Sequence, residues 1–174
     1  MTIRSHRLAN ALGRIFFVLR ILCIVALVLL VPAMIVAWVS PDAIKSGGVK
    51  VNGVAVTDTA PAIAGTLILF ANVMLIAAVV ILGKLRGMMK SVAAGVPFSI
   101  ENVGRLRTIA ATMGALLVVQ TVAGLFVTTA QSTAYAIPAG RFDFGLFLGM
   151  LVVLVLAEVF REGVRLREDA EGTI

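Results

Sequence analysis

Residues 21–39 read ILCIVALVLLVPAMIVAWV, an uncharged apolar run that decides the fold. A helix needs about 20 apolar residues to cross the hydrocarbon core of a bilayer. The run therefore predicts a membrane-spanning helix. This helix can begin as early as Ile15 if Arg20 extends its charged end to the interface.

Further uncharged runs follow along the chain, and none alternates as the strands of a membrane barrel do. Only helices and closed barrels satisfy their backbone hydrogen bonds in lipid. The composition, 60% hydrophobic and 14% charged, is also far from that of a soluble domain. We therefore predict an all-α membrane protein, a single domain over 1–174 with four transmembrane helices at about 15–39, 60–83, 108–130 and 142–160.

The basic residues predict the orientation of these helices. Twelve of the fifteen Lys and Arg residues lie in the N-terminal segment, the central loop and the C-terminal tail. Because cytoplasmic segments carry the excess of positive charge, both termini and the central loop are expected in the cytoplasm. The same segregation argues against direct nucleic-acid binding, although the net charge is +6.

Two features are predicted in the loops. Residues 49–56 read VKVNGVAV, and alternation around Asn-Gly favours a small outward-facing β-hairpin, either a structural lid or a ligand site. In the central loop, apolar residues with helical spacing predict a short cytoplasmic interfacial helix or a straight extension of the second span. Those residues are Leu85, Met88, Met89, Val92 and Ala93.

The central loop also carries capping signals. Gly95 and Pro97 predict the end of the preceding helix. Ser99 suits the N-cap of the third helix, with Asn102 at the third helical position. Glu101 favours the positive helix end, and Phe98 is expected to pack on residue 103.

Three polar residues fall within or at the edge of the predicted spans. Asn72 and Gln120 lie near the centres of their helices and should face the bundle, as interhelical hydrogen-bonding groups or as a ligand-binding pair. Glu158 lies near a helix end, where it can pair with Arg161 or Arg107.

The residues for common chemistry are missing from the sequence. His6 is the only histidine and Cys23 the only cysteine, so no cofactor or metal site is expected. No hydrolase, zinc-protease or P-loop motif occurs. We therefore expect a protein that is not an enzyme.

Two blocks carry a family resemblance. Residues 95–107, GVPFSIENVGRLR, resemble the signature G-x-P-F-[ST]-x-E-N-x-x-R-L-R, and residues 157–166, AEVFREGVRL, resemble A-E-[IV]-F-R-x-G-x-x-L. Both are typical of the bacterial four-helix membrane proteins grouped as domain of unknown function 2975. The resemblance implies a multi-pass protein of the bacterial inner membrane, often encoded beside a small helix-turn-helix regulator.

The leading functional hypothesis is a sensor or anti-regulator that docks such a regulator on its cytoplasmic surface. Four arginines would contact an acidic partner surface, or would bind lipid headgroups instead. They are Arg105, Arg107, Arg161 and Arg165. The alternative is a structural or accessory subunit of a larger membrane complex or homo-oligomer, with Gly145 and Gly149 on its contact face.

Overall fold

The computed structural model describes residues 3–39, 50–51, 54–55, 61–130 and 142–172. Long helices dominate the described chain, as the apolar runs predict. They are α1 (Ile3–Val39), α2 (Pro61–Ala93), α3 (Ile100–Ala130) and α4 (Phe144–Glu171). The chain divides into two compact units, Met1–Leu19 with Val80–Ile174, and Arg20–Val79.

Three helical segments of the described chain are long and apolar enough to cross a membrane. They are Leu8–Val36, Ile68–Ala93 and Phe144–Ala170. The remaining predicted span, 108–130, lies within α3, whose side chains are described only as far as residue 122. These helices support the prediction of a helical membrane protein.

The predicted fold class needs a first correction at the central loop. No separate interfacial helix occurs there, because α2 runs without a break from Pro61 to Ala93. The apolar residues that suggested it belong to the last turns of α2: Met88 is buried in the core, and Leu85 and Met89 pack against that core. The other alternative for this loop, an extension of the second helix, is therefore confirmed.

A second correction concerns the outward-facing hairpin over 49–56. The described pairing is confined to β1 (Lys50–Val51) and β2 (Val54–Ala55), with Val51 opposite Val54. Each strand has two residues, well below the usual length of about five or six, and an isolated two-stranded hairpin is only marginally stable in water. The fold is therefore all-α without a β-hairpin as a structural element; the intervening residues 52–53, like residues 49 and 56, lie outside the described chain.

The end of α2 is set by hydrogen bonds in the turn that follows it. The amide of Val96 donates to the Ser91 carbonyl at 3.0 Å, and that of Gly95 to the Val92 carbonyl at 3.1 Å. This is the Schellman pattern, which needs a left-handed residue at the position of Gly95. Gly95 has φ +78°, so the predicted stop is confirmed.

The hydrophobic core of the larger unit lies where α2, α3 and α4 meet. Met88, Leu106, Ile109 and Ala157 are its buried members. Alanine at 157 is 1% exposed, and its small side chain lets α4 come close to the core.

Glycines and methionines interlock along α3 and α4. A Cβ on Gly149 would lie 2.9 Å from Met113 Cε, and a Cβ on Gly114 would lie 3.1 Å from Met150 Sδ. Each helix therefore places a methionine over a glycine of the other. This packing holds the two helices in a fixed register.

Candidate functional site

Asn102 organises the turn between α2 and α3. It is fully buried, and its Nδ2 donates to the Pro97 carbonyl at 2.8 Å. Its backbone amide donates to the Ser99 carbonyl at 3.0 Å and to Ser99 Oγ at 3.4 Å, which confirms Ser99 as the N-cap of α3. Asn102, which belongs to the first sequence block, therefore stabilises the turn through hydrogen bonds from a buried position.

Arg105 completes the same network across two helices. Its Nη1 donates to Asn102 Oδ1 at 2.6 Å, to Ser91 Oγ at 2.8 Å and to the Gly87 carbonyl at 3.2 Å. Its Nη2 lies 3.3 Å from Glu101 Oε2. The guanidinium is thus engaged within the chain, and its side chain is only 26% exposed.

Two small residues of α2 make room for this arginine. A Cβ on Gly87 would lie 2.9 Å from Arg105 Nε, so any larger residue here requires the arginine side chain to move. Ser91 lies one turn further on the same helix face and supplies the hydroxyl acceptor. Sequence reasoning missed both residues, although two small residues four apart beside a predicted capping loop are a usable signal.

The second sequence block packs directly on the first. The rings of Phe98 and Phe160 lie 5.2 Å apart between centroids. A Cβ on Gly163 would lie 2.7 Å from Phe98 Cδ1. The ring contact that the structure shows for Phe98 is therefore with α4.

Ion pairs lie beside this ring contact, and one of them joins α3 to α4. Glu158 lies 3.6 Å from Arg107 of α3 and 2.5 Å from Arg161 of its own helix, so it forms both of the pairs expected of it. Arg165 pairs with Glu162 at 3.6 Å. The side chains of Arg107, Arg161 and Arg165 remain 55%, 57% and 70% exposed.

We call this arrangement the motif junction: the α2–α3 turn with Asn102 and Arg105, and the α4 segment 157–165 that packs against it. The four arginines assigned to one docking surface play two different parts within it. Arg105 holds the turn and is poorly placed to meet a partner. Arg107, Arg161 and Arg165 lie on the exposed side.

The other predicted polar positions lie apart from the motif junction. Asn72 is 4% exposed, and its Nδ2 donates to the Ile68 carbonyl of its own helix at 2.8 Å. Gln120 is partly buried on α3. The hydrogen bond that Asn72 makes is therefore within one helix, where the sequence suggested a bond between helices.

The described part of the chain contains no candidate metal centre. No three His, Cys, Asp or Glu side chains among those residues lie close enough together to hold an ion. The described carboxylates nearest the junction, Glu101, Glu158 and Glu162, are each paired with an arginine. The chemistry available at the junction is thus ion pairing and hydrogen bonding.

Both blocks of the junction fall within one family match. The family described as protein of unknown function (DUF2975) matches residues 58–174, about two thirds of the chain. The chain belongs to this family. No curated protein and no solved structure shows significant similarity to it. In this DUF2975 protein the two sequence blocks are therefore the two halves of one tertiary contact, which joins the α2–α3 turn to α4.

Proposed function

We propose that this DUF2975 protein is a non-enzymatic, multi-pass protein of the bacterial inner membrane that docks a soluble cytoplasmic partner at the motif junction. Both termini and the junction face the cytoplasm in this proposal, as the distribution of Lys and Arg indicates. The partner is a helix-turn-helix regulator, and the protein acts on it as a sensor or anti-regulator.

The observation that carries the proposal is the exposed basic edge of a rigid junction. Arg107, Arg161 and Arg165 are each more than half exposed, and so are the glutamates with which they pair. Exposed ion pairs contribute only about 0 to 1 kcal/mol, so an acidic surface of a partner can replace them at little cost. Meanwhile Arg105 and Asn102 hold the turn, so the docking surface is preorganised.

The test is to isolate the protein in mild detergent from its native membrane and identify what accompanies it by mass spectrometry. The test variant combines Arg161→Gln with Arg165→Glu, which avoids placing a second carboxylate beside Glu158. A matched control, Lys45→Gln with Lys50→Glu, makes the same change in charge in the loop predicted to face outward.

We expect recovery of the soluble regulator to fall at least about tenfold in the test variant and to stay unchanged in the control. The side chains of Arg161 and Arg165 are 57% and 70% exposed, so the test variant should keep its fold and lose only surface ion pairs. Circular dichroism of both variants checks that the helix content is unchanged. Equal recovery of the regulator with both variants would refute docking at this edge.

The alternative role, an accessory subunit of a larger membrane complex or homo-oligomer, predicts large membrane subunits or further copies of the chain in the same isolate. Its suggested contact face is partly occupied, because Gly149 already receives Met113 of the same chain. That packing favours the docking proposal.

A further inference from the structure

A cavity of about 350 Å³ lies between the first turns of α1 and the last turns of α2, within the larger unit. It is partly open and has the volume of a small-ligand site. Its lining combines three cations, one amide and an apolar wall. The cations are Arg14, Arg86 and Lys90; the other lining residues are Ala9, Asn10, Gly13, Phe17 and Met89.

The charge of this cavity is not compensated by the residues described around it. None of its described lining residues is acidic, and Arg14, Arg86 and Lys90 form no ion pair with the described carboxylates. The arginines of the motif junction, in contrast, each have a carboxylate partner. Three like charges around one cavity repel one another, and an anion bound among them removes that repulsion.

Arg86 is held in a position suited to such an anion. Its guanidinium carbon lies 4.0 Å from the centroid of the Phe17 ring. Stacking on an aromatic face occupies the flat side of the guanidinium and leaves the N–H groups at its edge able to donate. A planar fork of donors matches two oxygens of a phosphate.

The cavity also lies at the end of two apolar helices. Its α1 residues are in the first turns of the segment Leu8–Val36, and its α2 residues are in the last turns of Ile68–Ala93. Phosphates of the lipid headgroups lie at this depth of a bilayer, and basic pockets between membrane helices bind such groups. Phe17 and Met89 offer apolar surface beside the cations.

We propose that this cavity binds the phosphodiester of an anionic phospholipid, with the phosphate among the three cations and the adjoining carbon atoms against Phe17 and Met89. The site is separate from the motif junction and does not depend on the docking proposal. A free phosphate shares the anionic chemistry but would make no use of the apolar wall.

The test measures thermal stabilisation of the full chain in a neutral detergent. The probes are dioctanoyl phosphatidylglycerol, dioctanoyl phosphatidylcholine and inorganic phosphate. The cavity variant is Arg14→Gln, Arg86→Gln and Lys90→Gln together. A control variant removes the same charge from the junction, with Arg107→Gln, Arg161→Gln and Arg165→Gln.

We expect phosphatidylglycerol alone to stabilise the unaltered protein, with saturation. Its apparent affinity should fall roughly tenfold or more in the cavity variant, since each charge-assisted hydrogen bond contributes at least about a factor of ten. The control variant should keep the original affinity. If inorganic phosphate stabilises the protein as well as the lipid does, the phospholipid is the wrong ligand. If both variants lose affinity for phosphatidylglycerol equally, the binding depends on general surface charge and not on this cavity.

A second variant tests the same cavity in case the triple cavity variant does not fold. Gly13 lines the cavity, so Gly13→Leu puts an apolar side chain into it and leaves every charge in place. The Cβ of that side chain meets only Met89 Cβ, at an ordinary 3.7 Å. We expect this variant to lose the response to phosphatidylglycerol as well. An unchanged response with Gly13→Leu would overturn the proposal.

Discussion

Replacing Gly87 with alanine tests whether Arg105 is clamped against α2. The added Cβ would lie 2.9 Å from Arg105 Nε and 3.2 Å from Cζ, so the guanidinium must move. Movement breaks its bonds to Asn102 Oδ1 at 2.6 Å and to Ser91 Oγ at 2.8 Å. A charge-assisted hydrogen bond contributes about 1.5 to 3 kcal/mol, so two of them contribute about 3 to 6 kcal/mol.

Two effects reduce that loss in the Gly87→Ala variant. Alanine stabilises a helix interior by about 0.5 to 1 kcal/mol relative to glycine. Water also reaches part of the displaced guanidinium, because the Arg105 side chain is already 26% exposed. We therefore expect the free energy of unfolding to fall by about 2 to 4 kcal/mol.

The matched control is Gly104→Ala on α3, where an added Cβ meets nothing within 4 Å. This change should raise the free energy of unfolding by about 0.5 to 1 kcal/mol. Both variants are unfolded at equilibrium in mixed micelles of a mild detergent and dodecyl sulfate, and helix content is followed by circular dichroism. If the two alanines change stability in the same direction and by the same amount, Arg105 is not held as described.

Two further substitutions test the remaining contacts of the motif junction. Asn102→Ala should lower the free energy of unfolding by about 2 to 4 kcal/mol in the same assay, because the Pro97 carbonyl and Arg105 both lose the buried Asn102 side chain as a partner; a loss below about 0.5 kcal/mol would contradict the network. Gly163→Val should displace the Phe98 ring, which a Cβ alone would approach to 2.7 Å, and should speed chymotrypsin cleavage after Phe98. An unchanged cleavage rate would show that the ring does not rest on this glycine.

Local signals determined the limits of the helices. Gly95 marks the end of α2 because a left-handed residue is needed there, and Ser99 marks the start of α3 because its oxygens accept the first free amides. Both signals act within a few residues, so the sequence alone carries them. The apolar runs likewise determined where the candidate spans lie, since length and hydropathy depend on no partner.

The same kind of signal left two alternatives open at the central loop, a separate interfacial helix or an extension of the second span. The interfacial helix was wrong, and the extension is what the structure shows. The spacing of Leu85, Met88 and Met89 showed which helix face is apolar but not where the helix began. Packing against α3 and α4 decided that this face continues α2. Short alternation around residues 52–53 similarly overstated the β structure: the described pairing joins two strands of two residues each, and an isolated two-stranded hairpin is marginally stable.

The roles of the arginines were decided by the tertiary structure. Charge counting treats Arg105 and Arg165 alike, since the positive-inside rule depends on number and position alone. In the folded chain Gly87, Ser91 and Asn102 surround Arg105, whereas Arg165 stays 70% exposed. Sequence by itself determined that this is a helical membrane protein with two recognisable blocks; only tertiary packing brought those blocks together, because the residues that meet come from different helices.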